Sequence, residues 1–421
     1  MHRVVRGFPP DWLLIALLAI GVFLWQRTVF SLWMVDLFPN QLGAYFWKNG
    51  QSEWMYTPLR KNAEWVHVRS PVAVELGAEG DPNTFMYPPF VAAVLSPLAE
   101  MPAVWWRNAL FVINLLLIPM LAWQIRVLSG AERTWRAFLW SLALVLVTYP
   151  MARAMKLGQL TPLLFVGFWA AILLLRRRDL VGAILAGLIG AIKVFPIVAL
   201  AIPLLMKRMR VAVWWIGTAI LIYLSSLIAL GWRVHGYWWE VMREFSGLVQ
   251  PFFGNQAPLA WFARIYYQRP MIDVIPFTTP LLNVSKWICL AVFLGGTLVV
   301  LWRTRESWRT QPYSLGLGLL LSGLHLAMPV MWEHYWIMLL PPLAWAIRET
   351  WLHGDRFMWV LWLLTAAFLF TMKLTRFYGD NLFGQLASGS QAAGMFMLWV
   401  WLLRRALRRT DDVKSLPVEA L

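Results

Sequence analysis

Ionisable residues that interrupt apolar stretches are the most informative feature of this sequence. Lys193 lies near the middle of the apolar stretch Leu180–Met206, and Asp36 stands just after the first hydrophobic segment. A charged side chain at membrane depth is costly, so such residues usually mark a functional site. A carboxylate can accept a proton, and an ammonium group can stabilise an anion such as a phosphate. The two residues therefore predict a site for such chemistry at the membrane boundary.

Further polar residues lie between the apolar blocks and are expected on the same side of the membrane as Asp36. Each has a plainer interpretation: Asp36 could cap the helix that follows it, and His334 could be an interfacial histidine. Arg153 and Lys156 could simply extend their charged groups towards the lipid headgroups. A purely structural protein, however, has little reason to bring polar groups from six segments to one face. Together with Asp36 and Lys193, the set comprises Arg153, Lys156, Gln159, Asn255, Gln256, Arg264, Glu333 and His334.

The composition is that of a membrane protein. Of the 421 residues, 60% are hydrophobic and 14% are charged, and the mean hydropathy is +0.60. A soluble domain has roughly a quarter of its residues charged. The apolar residues form blocks separated by short basic clusters, as in membrane-spanning helices. Residues 1–421 are therefore interpreted as one integral membrane domain.

The net charge of +16 would suggest nucleic-acid binding in a soluble protein. Here the basic residues stand at the ends of apolar blocks, where they set membrane orientation and contact anionic lipid headgroups. Membrane lipids, and not nucleic acid, are the predicted partners.

Familiar catalytic and metal motifs are missing. The single cysteine, Cys289, excludes an internal disulfide and a cysteine-based metal site. The spacing of His325, Glu333 and His334 matches no zinc motif, and the chain contains no P-loop or nucleophile elbow. No cofactor and no metal-ligating residues are predicted, and the use of a divalent metal stays open at this point.

The sequence predicts an all-α polytopic protein with about 12 membrane helices. This number lets the basic clusters all face the cytoplasm, provided that two apolar stretches do not each cross the membrane once. Tyr87–Met101 is short and proline-rich, so it is interpreted as a re-entrant or interfacial helix. Leu180–Met206 is interpreted as two short helices that turn at Lys193–Pro196. The external loops are then about 35–103 and 232–285, where re-entrant or juxtamembrane helices are expected, and the cytoplasmic tail is about 404–421.

Several short segments follow one another along the chain: Asp36 with Tyr45 and Gly50, Phe85–Pro89, Leu95–Leu98 with Met101–Pro102, Gly158–Gln159, Lys193 with Pro196, Asn255–Gln256, and Pro329 with Trp332–His334. In this order they resemble glycosyltransferase family 87, a family of polytopic GT-C enzymes similar to the mycobacterial phosphatidylinositol-mannoside mannosyltransferases. Three departures are Thr161 and Pro162 where the family usually has Asn, Tyr335 where it often has a second His, and the unusual segment Leu37–Asn40 after Asp36.

This resemblance implies a GT-C fold and transfer of a monosaccharide, most often mannose, from a polyprenyl-phosphate donor to a lipid or glycan acceptor. The active site would face the non-cytoplasmic side of the plasma (inner) membrane. Asp36 would be the catalytic base, and a single base acting on one face implies inversion of the anomeric carbon. Lys193, Arg153, Lys156 and His334 would bind the donor phosphate. The sugar or acceptor would contact Gln159, Asn255, Gln256, Trp332, Glu333, Tyr87 and Arg264.

Two other classes stay open at this point. A secondary transporter or lipid flippase also buries ionisable residues in broken helices, although it usually shows paired repeats. No such repeat is evident, and the polar groups gather at one mouth. A lipid-linked oligosaccharide ligase would share the carrier lipid but would depend on Arg and His residues in loops.

Overall fold

The protein is described by a computed structural model over residues 10–29, 35–56, 68, 71–78, 84–252, 254–267, 275–276, 279–308, 312–353, 384 and 389–414. Within these residues the fold is almost entirely helical. One small antiparallel ladder pairs Leu248–Val249 with Ile275–Pro276. The all-α class predicted from the sequence is thus confirmed.

The α-helices are numbered in chain order. They are α1 (Asp11–Val29), α2 (Phe38–Lys48), α3 (Pro89–Leu95), α4 (Ala103–Leu128), α5 (Trp135–Val147), α6 (Tyr149–Leu157), α7 (Thr161–Leu174), α8 (Asp179–Ile192), α9 (Ala201–Leu205), α10 (Met209–Leu230), α11 (Trp232–Ser246), α12 (Pro258–Tyr267), α13 (Pro280–Cys289), α14 (Gly296–Arg303), α15 (Arg305–Trp308), α16 (Leu317–Ala327), α17 (Leu340–His353) and α18 (Ser390–Lys414). Short 3₁₀ helices cover Ser52–Trp54, Ser96–Leu98, Phe195–Leu200 and Glu333–Leu339, and π-helical turns cover Leu290–Gly295 and Pro312–Gly316.

Three helical segments are long and apolar enough to cross a membrane: α4, α10 and the continuous stretch Pro280–Arg303. At 1.5 Å per residue, α4 extends about 39 Å, which exceeds the roughly 30 Å of a bilayer core. A fourth span would be formed by α5 and α6 together, which meet at an angle of 55°. The described residues thus support a membrane protein with several spans, and the expected number of about twelve stays a prediction.

The interrupted stretches occur where the sequence places them. Helix α8 ends at Ile192, and a 3₁₀ helix begins at Phe195, so the predicted break at Lys193 is confirmed. The proline-rich stretch forms α3, only seven residues long, and continues as the 3₁₀ helix Ser96–Leu98. The two long loops contain helices, as predicted: α2 and α3 in the first, and α11 and α12 in the second. The predicted tail from 404 continues α18 as far as Lys414, and residues 415–421 lie outside the described residues.

Small residues bring α7, α8 and α10 close together. A Cβ atom on Gly187 of α8 would overlap the carbonyl oxygen of Trp215 and would lie 2.7 Å from Cβ of Thr218, both on α10. On the other side of α8, a Cβ atom on Gly182 would lie 2.7 Å from the backbone nitrogen of Leu175. Without a hydrophobic drive between helices in lipid, such close contact is a main source of attraction. The packing fixes the end of α8, from which Lys193 projects.

Candidate active site

The site is organised around the turn between α6 and α7. Gly158 has φ 73, a left-handed conformation that glycine adopts without steric cost, and it ends α6. The backbone amide of Gln159 then donates to the carbonyl of Ala154 at 2.9 Å, which completes a Schellman turn. Asp36 donates its backbone amide to the carbonyl of Leu157 at 2.9 Å. The end of α6 therefore holds Asp36 and Gln159 side by side.

Four side chains form a continuous hydrogen-bonded series across this turn. Gln159 Nε2 donates to Asp36 Oδ2 at 2.6 Å, and Thr161 Oγ1 donates to Gln159 Oε1 at 3.2 Å. Lys193 Nζ donates to Thr161 Oγ1 at 2.9 Å. We call Asp36, Gln159, Thr161 and Lys193 the polar relay. It joins the predicted base to the predicted phosphate-binding cation.

Lys193 is enclosed by aromatic rings. Its Nζ lies 4.0 Å from the centre of the Tyr335 ring and 5.6 Å from that of Phe165, so both rings stabilise the cation. Burial lowers the pKa of Lys193 to about 7, and the nearby negative charge of Asp36 opposes this shift. The ammonium group is thus stabilised by local contacts and destabilised by the loss of water.

Arg153 of α6 forms a buried salt bridge with Glu333 at the start of the 3₁₀ helix Glu333–Leu339. Their side chains are 9% and 2% exposed, so water screens the pair little. Burial raises the pKa of Glu333 to about 7, while the positive charge of Arg153 opposes the change. Lys156 lies one turn further along α6 and is half-buried. The bridge fixes the Trp-Glu-His turn against α6.

His334 is buried at 3% exposure, and neither of its ring nitrogens has a hydrogen-bond partner within the described chain. Burial lowers its pKa well below the usual value, and the positive charges of Lys193 and Arg153 lower it further. The ring is therefore a neutral imidazole, which offers one N–H donor and one acceptor. Buried polar atoms are nearly always paired, so this ring is a candidate for contact with a bound molecule.

Asn255 joins the second long loop to the segment before the Trp-Glu-His turn. Its Oδ1 accepts hydrogen bonds from the backbone amides of Met331 at 2.8 Å and Ala257 at 3.2 Å. Its Nδ2 donates to the carbonyls of Gln250 at 2.9 Å and Pro329 at 3.3 Å. These four bonds use the whole hydrogen-bonding capacity of the amide. The geometry favours a positioning role for Asn255, and its predicted contact with sugar stays a prediction.

The neighbours of Asn255 extend this junction. Gln256 donates its backbone amide to the carbonyl of Met331 at 2.7 Å, and Trp332 forms a β-bridge with Asn255. The ring of Trp332 is half-buried, with its centre 6.1 Å from that of Phe252. Arg264 is fully buried in the same loop and donates to the carbonyls of Phe252 at 2.9 Å and Asn255 at 2.8 Å. The two segments therefore form one rigid unit.

Tyr87 occupies the other side of the site. Burial raises the pKa of its phenol, and the neighbouring Tyr335 and Asp36 raise it further, so the hydroxyl stays protonated. Its carbonyl accepts a hydrogen bond from the Tyr56 hydroxyl at 2.6 Å. Pro88 then starts α3 in an extended conformation, with φ −57 and ψ 152. The Tyr-Pro-Pro sequence thus turns the chain from the site into α3.

The structure brings most of the predicted residues into contact or into electrostatic reach of one another. Two residues that were noted only as departures from the family pattern, Thr161 and Tyr335, also lie in the site. The sequence could have pointed to them only through their positions, since Thr161 follows Gly158–Gln159 and Tyr335 follows His334. The residue types themselves did not indicate a function. The grouped residues are Asp36, Tyr87, Arg153, Gln159, Lys193, Glu333 and His334, whereas Asn255, Gln256 and Arg264 contact the surrounding backbone.

Within the described ranges, no group of three or more His, Cys, Asp and Glu residues is arranged to hold a metal ion. That the chain has no metal-ligating residues stays a prediction.

The sequence model of glycosyltransferase family 87 matches residues 85–330, more than half of the chain. The protein belongs to glycosyltransferase family 87. Asp36 precedes the matched range.

Over 281 residues the chain is 25% identical to a protein of Mycobacterium tuberculosis (strain CDC 1551 / Oshkosh), the polyprenol-phosphate-mannose-dependent alpha-(1-2)-phosphatidylinositol pentamannoside mannosyltransferase. The match covers 63% of this chain and 59% of that enzyme. No solved structure matches the chain.

Proposed function

We propose that the protein is an inverting glycosyltransferase that moves one monosaccharide, mannose in the first instance, from a polyprenyl-phosphate carrier to a lipid or glycan acceptor. The polar relay carries this proposal, because it places a carboxylate and a partly buried ammonium group on one hydrogen-bonded series. The family membership and the mannosyltransferase relative support the same donor class.

In the proposed reaction the acceptor hydroxyl oxygen attacks the anomeric carbon and forms the new glycosidic bond. The bond from that carbon to the phosphate oxygen breaks, and its electron pair leaves with the polyprenyl phosphate. Asp36 takes the proton of the hydroxyl. General-base catalysis by a positioned group is worth about 10²–10⁴-fold. Attack from the side opposite the leaving group inverts the anomeric centre.

The phosphate gains negative charge as it leaves, because a diester with one charge becomes a monoester with two. Groups that meet this charge in a dry site stabilise the transition state more than the bound donor. We assign this role to Lys193, with Arg153, Lys156 and the neutral His334 as further donors. Arg153 already forms a salt bridge with Glu333, so its positive charge is partly balanced before the donor binds.

The remaining predicted residues are proposed to shape the sugar and acceptor sites. We assign Gln159, Glu333, Trp332 and Tyr87 to direct contact with the sugar or acceptor, whereas Asn255, Gln256 and Arg264 hold the surrounding loops. We place the site on the extracytoplasmic side of the plasma (inner) membrane, because the basic clusters at the opposite helix ends favour a cytoplasmic position.

The test is a transfer assay with purified protein reconstituted in sealed lipid vesicles and a panel of short-chain polyprenyl-phosphate sugars. We expect one labelled monosaccharide to reach an extracted lipid or glycan acceptor with inverted configuration, identified by mass and linkage analysis. Movement of the intact donor across the bilayer without transfer would support a flippase, and transfer of a preassembled oligosaccharide would support a ligase. Either result would refute the proposal.

A further inference from the structure

Thr161 is a buried threonine whose hydroxyl has an unusual use for its position. It is the first residue of α7 and is fully buried. A threonine at a helix start commonly caps the helix, but the N-cap of α7 is Leu160 and no side chain caps it. Among the described residues, the hydroxyl instead forms hydrogen bonds with two polar side chains, Gln159 and Lys193.

The chemistry of the two ends fixes the direction of every bond in the relay. Lys193 has only N–H donors, and an ionised Asp36 has only acceptors. Thr161 must therefore accept from Lys193 and donate its own proton to Gln159 Oε1, which leaves the Gln159 amide N–H for Asp36. A series of bonds that all point the same way is polarised along its length and strengthened by it.

We propose that Thr161 is a positioning residue that orients the Lys193 ammonium group and, through Gln159, the Asp36 carboxylate. This inference rests on the proposed function, since it specifies how the base and the phosphate-binding cation are held relative to each other. Lys193 has three N–H groups, so one can remain on Thr161 while the others meet the donor phosphate. A single hydroxyl thus couples the two ends of the reacting site.

The test compares Thr161→Val, which keeps the shape and loses the hydroxyl, with Thr161→Ser, which keeps the hydroxyl. We expect Thr161→Val to lower kcat about tenfold and to move the alkaline limb of donor kcat/KM about one pH unit lower, as follows from losing one hydrogen bond to an ammonium group. Thr161→Ser should stay within about twofold of the wild type. The other titratable groups facing Lys193 are Asp36, His334 and Tyr335, and both variants keep them.

Thr350→Val is the matched control, because the buried Thr350 hydroxyl bonds only to carbonyls of its own helix. We expect Thr350→Val to change neither kcat nor the alkaline limb. If Thr161→Val also changes neither of them, the inference is wrong. A loss that Thr161→Ser shares fully would also contradict it, because the hydroxyl would not be the cause.

A binding measurement separates this inference from the proposed function. Farnesyl phosphate titrated into nanodisc-embedded protein reports the Lys193 contact without turnover. If the wild type binds this probe but transfers no sugar, the proposed function fails. The inference is then tested by the pH dependence of probe binding: a shift to lower pH in Thr161→Val supports it, and an unchanged pH dependence contradicts it. If the wild type neither binds nor transfers, both are overturned.

Discussion

Nε2 of Gln159 lies 2.6 Å from Oδ2 of Asp36, so the amide that follows Gly158 donates to the carboxylate that follows the first hydrophobic helix. The two residues are 123 positions apart in the chain. The contact forms because Gly158 turns the backbone sharply and because the Asp36 amide binds the last carbonyl of α6. The carboxylate is therefore held by both its backbone and its side chain.

Replacement of Asp36 by Asn should abolish sugar transfer and leave folding intact. The amide fills the same space, but it cannot take the acceptor proton, so we expect a fall of about 10²–10⁴-fold in kcat. The measurement is transfer from labelled donor by protein that elutes as one peak with an unchanged thermal midpoint. The matched control is Asp179→Asn, whose carboxylate binds the partly exposed Arg208 and should leave transfer unchanged. Near-normal turnover in Asp36→Asn would show that another group is the base.

Donor use should weaken as the pH rises through about 7, because the free protein loses the ammonium proton of Lys193 there. The bound phosphate favours the protonated form, so the donor KM should rise above this pH while kcat at saturating donor changes less. Lys193→Arg keeps its charge at every accessible pH and should remove the rise. Lys193→Met should show a high KM at every pH. A flat profile in the wild type would exclude the phosphate role of Lys193.

Much of this site can be predicted from the sequence, because burial of charge in an apolar chain has few explanations. Lys193 and Asp36 were identifiable in this way, and Pro196 located the break. Thr161 was not identifiable, since threonine is compatible with almost any helix start. Its role depends on a contact with Lys193, 32 residues away in the chain.

The amides of the second loop illustrate a different limit. The sequence shows that Asn255 and Gln256 are polar residues in a long loop, and such residues fit a sugar-binding role equally well. Only the structure reveals that four backbone groups from two segments use the Asn255 side chain. Long-range pairing between loops leaves no periodic signal in the sequence, so its partners could not be predicted.

Loss of one partner from the buried Arg153–Glu333 salt bridge should destabilise the protein strongly. Arg153→Met leaves a carboxylate without its cation in a dry environment, which costs about 3–5 kcal/mol. The thermal midpoint in detergent should fall clearly. The double variant Arg153→Met/Glu333→Leu should recover much of this loss, because no charge remains buried. The exposed pair Lys48–Glu100 is the control, and Lys48→Met should change the midpoint little. Additive losses in the double variant would contradict the expected coupling.

Asn255→Ala should lower the thermal midpoint and kcat together. The substitution leaves two backbone N–H groups and two carbonyls without their partner, and each unpaired buried group costs about 1–3 kcal/mol. Loosening of the turn that carries His334 then reduces turnover. A direct contact with sugar would instead raise the acceptor or donor KM at an unchanged midpoint, so the two roles are distinguishable. Asn283→Ala on an exposed face of α13 is the control.

Gly187→Ala should separate α8 from α10 and reduce both stability and transfer. The added methyl group would overlap the Trp215 carbonyl and lie 2.7 Å from Thr218 Cβ, and backbone cannot give way as a flexible side chain can. Because α8 leads directly into Lys193, a shift of this helix moves the ammonium group relative to Thr161 and Asp36. Gly217→Ala on α10 is the matched control, since nothing lies within 4 Å of its Cβ position. Alanine there should leave stability unchanged or raise it by roughly 0.5–1 kcal/mol. Equal midpoints for the two variants would show that the small residue at 187 does not set the spacing of these helices.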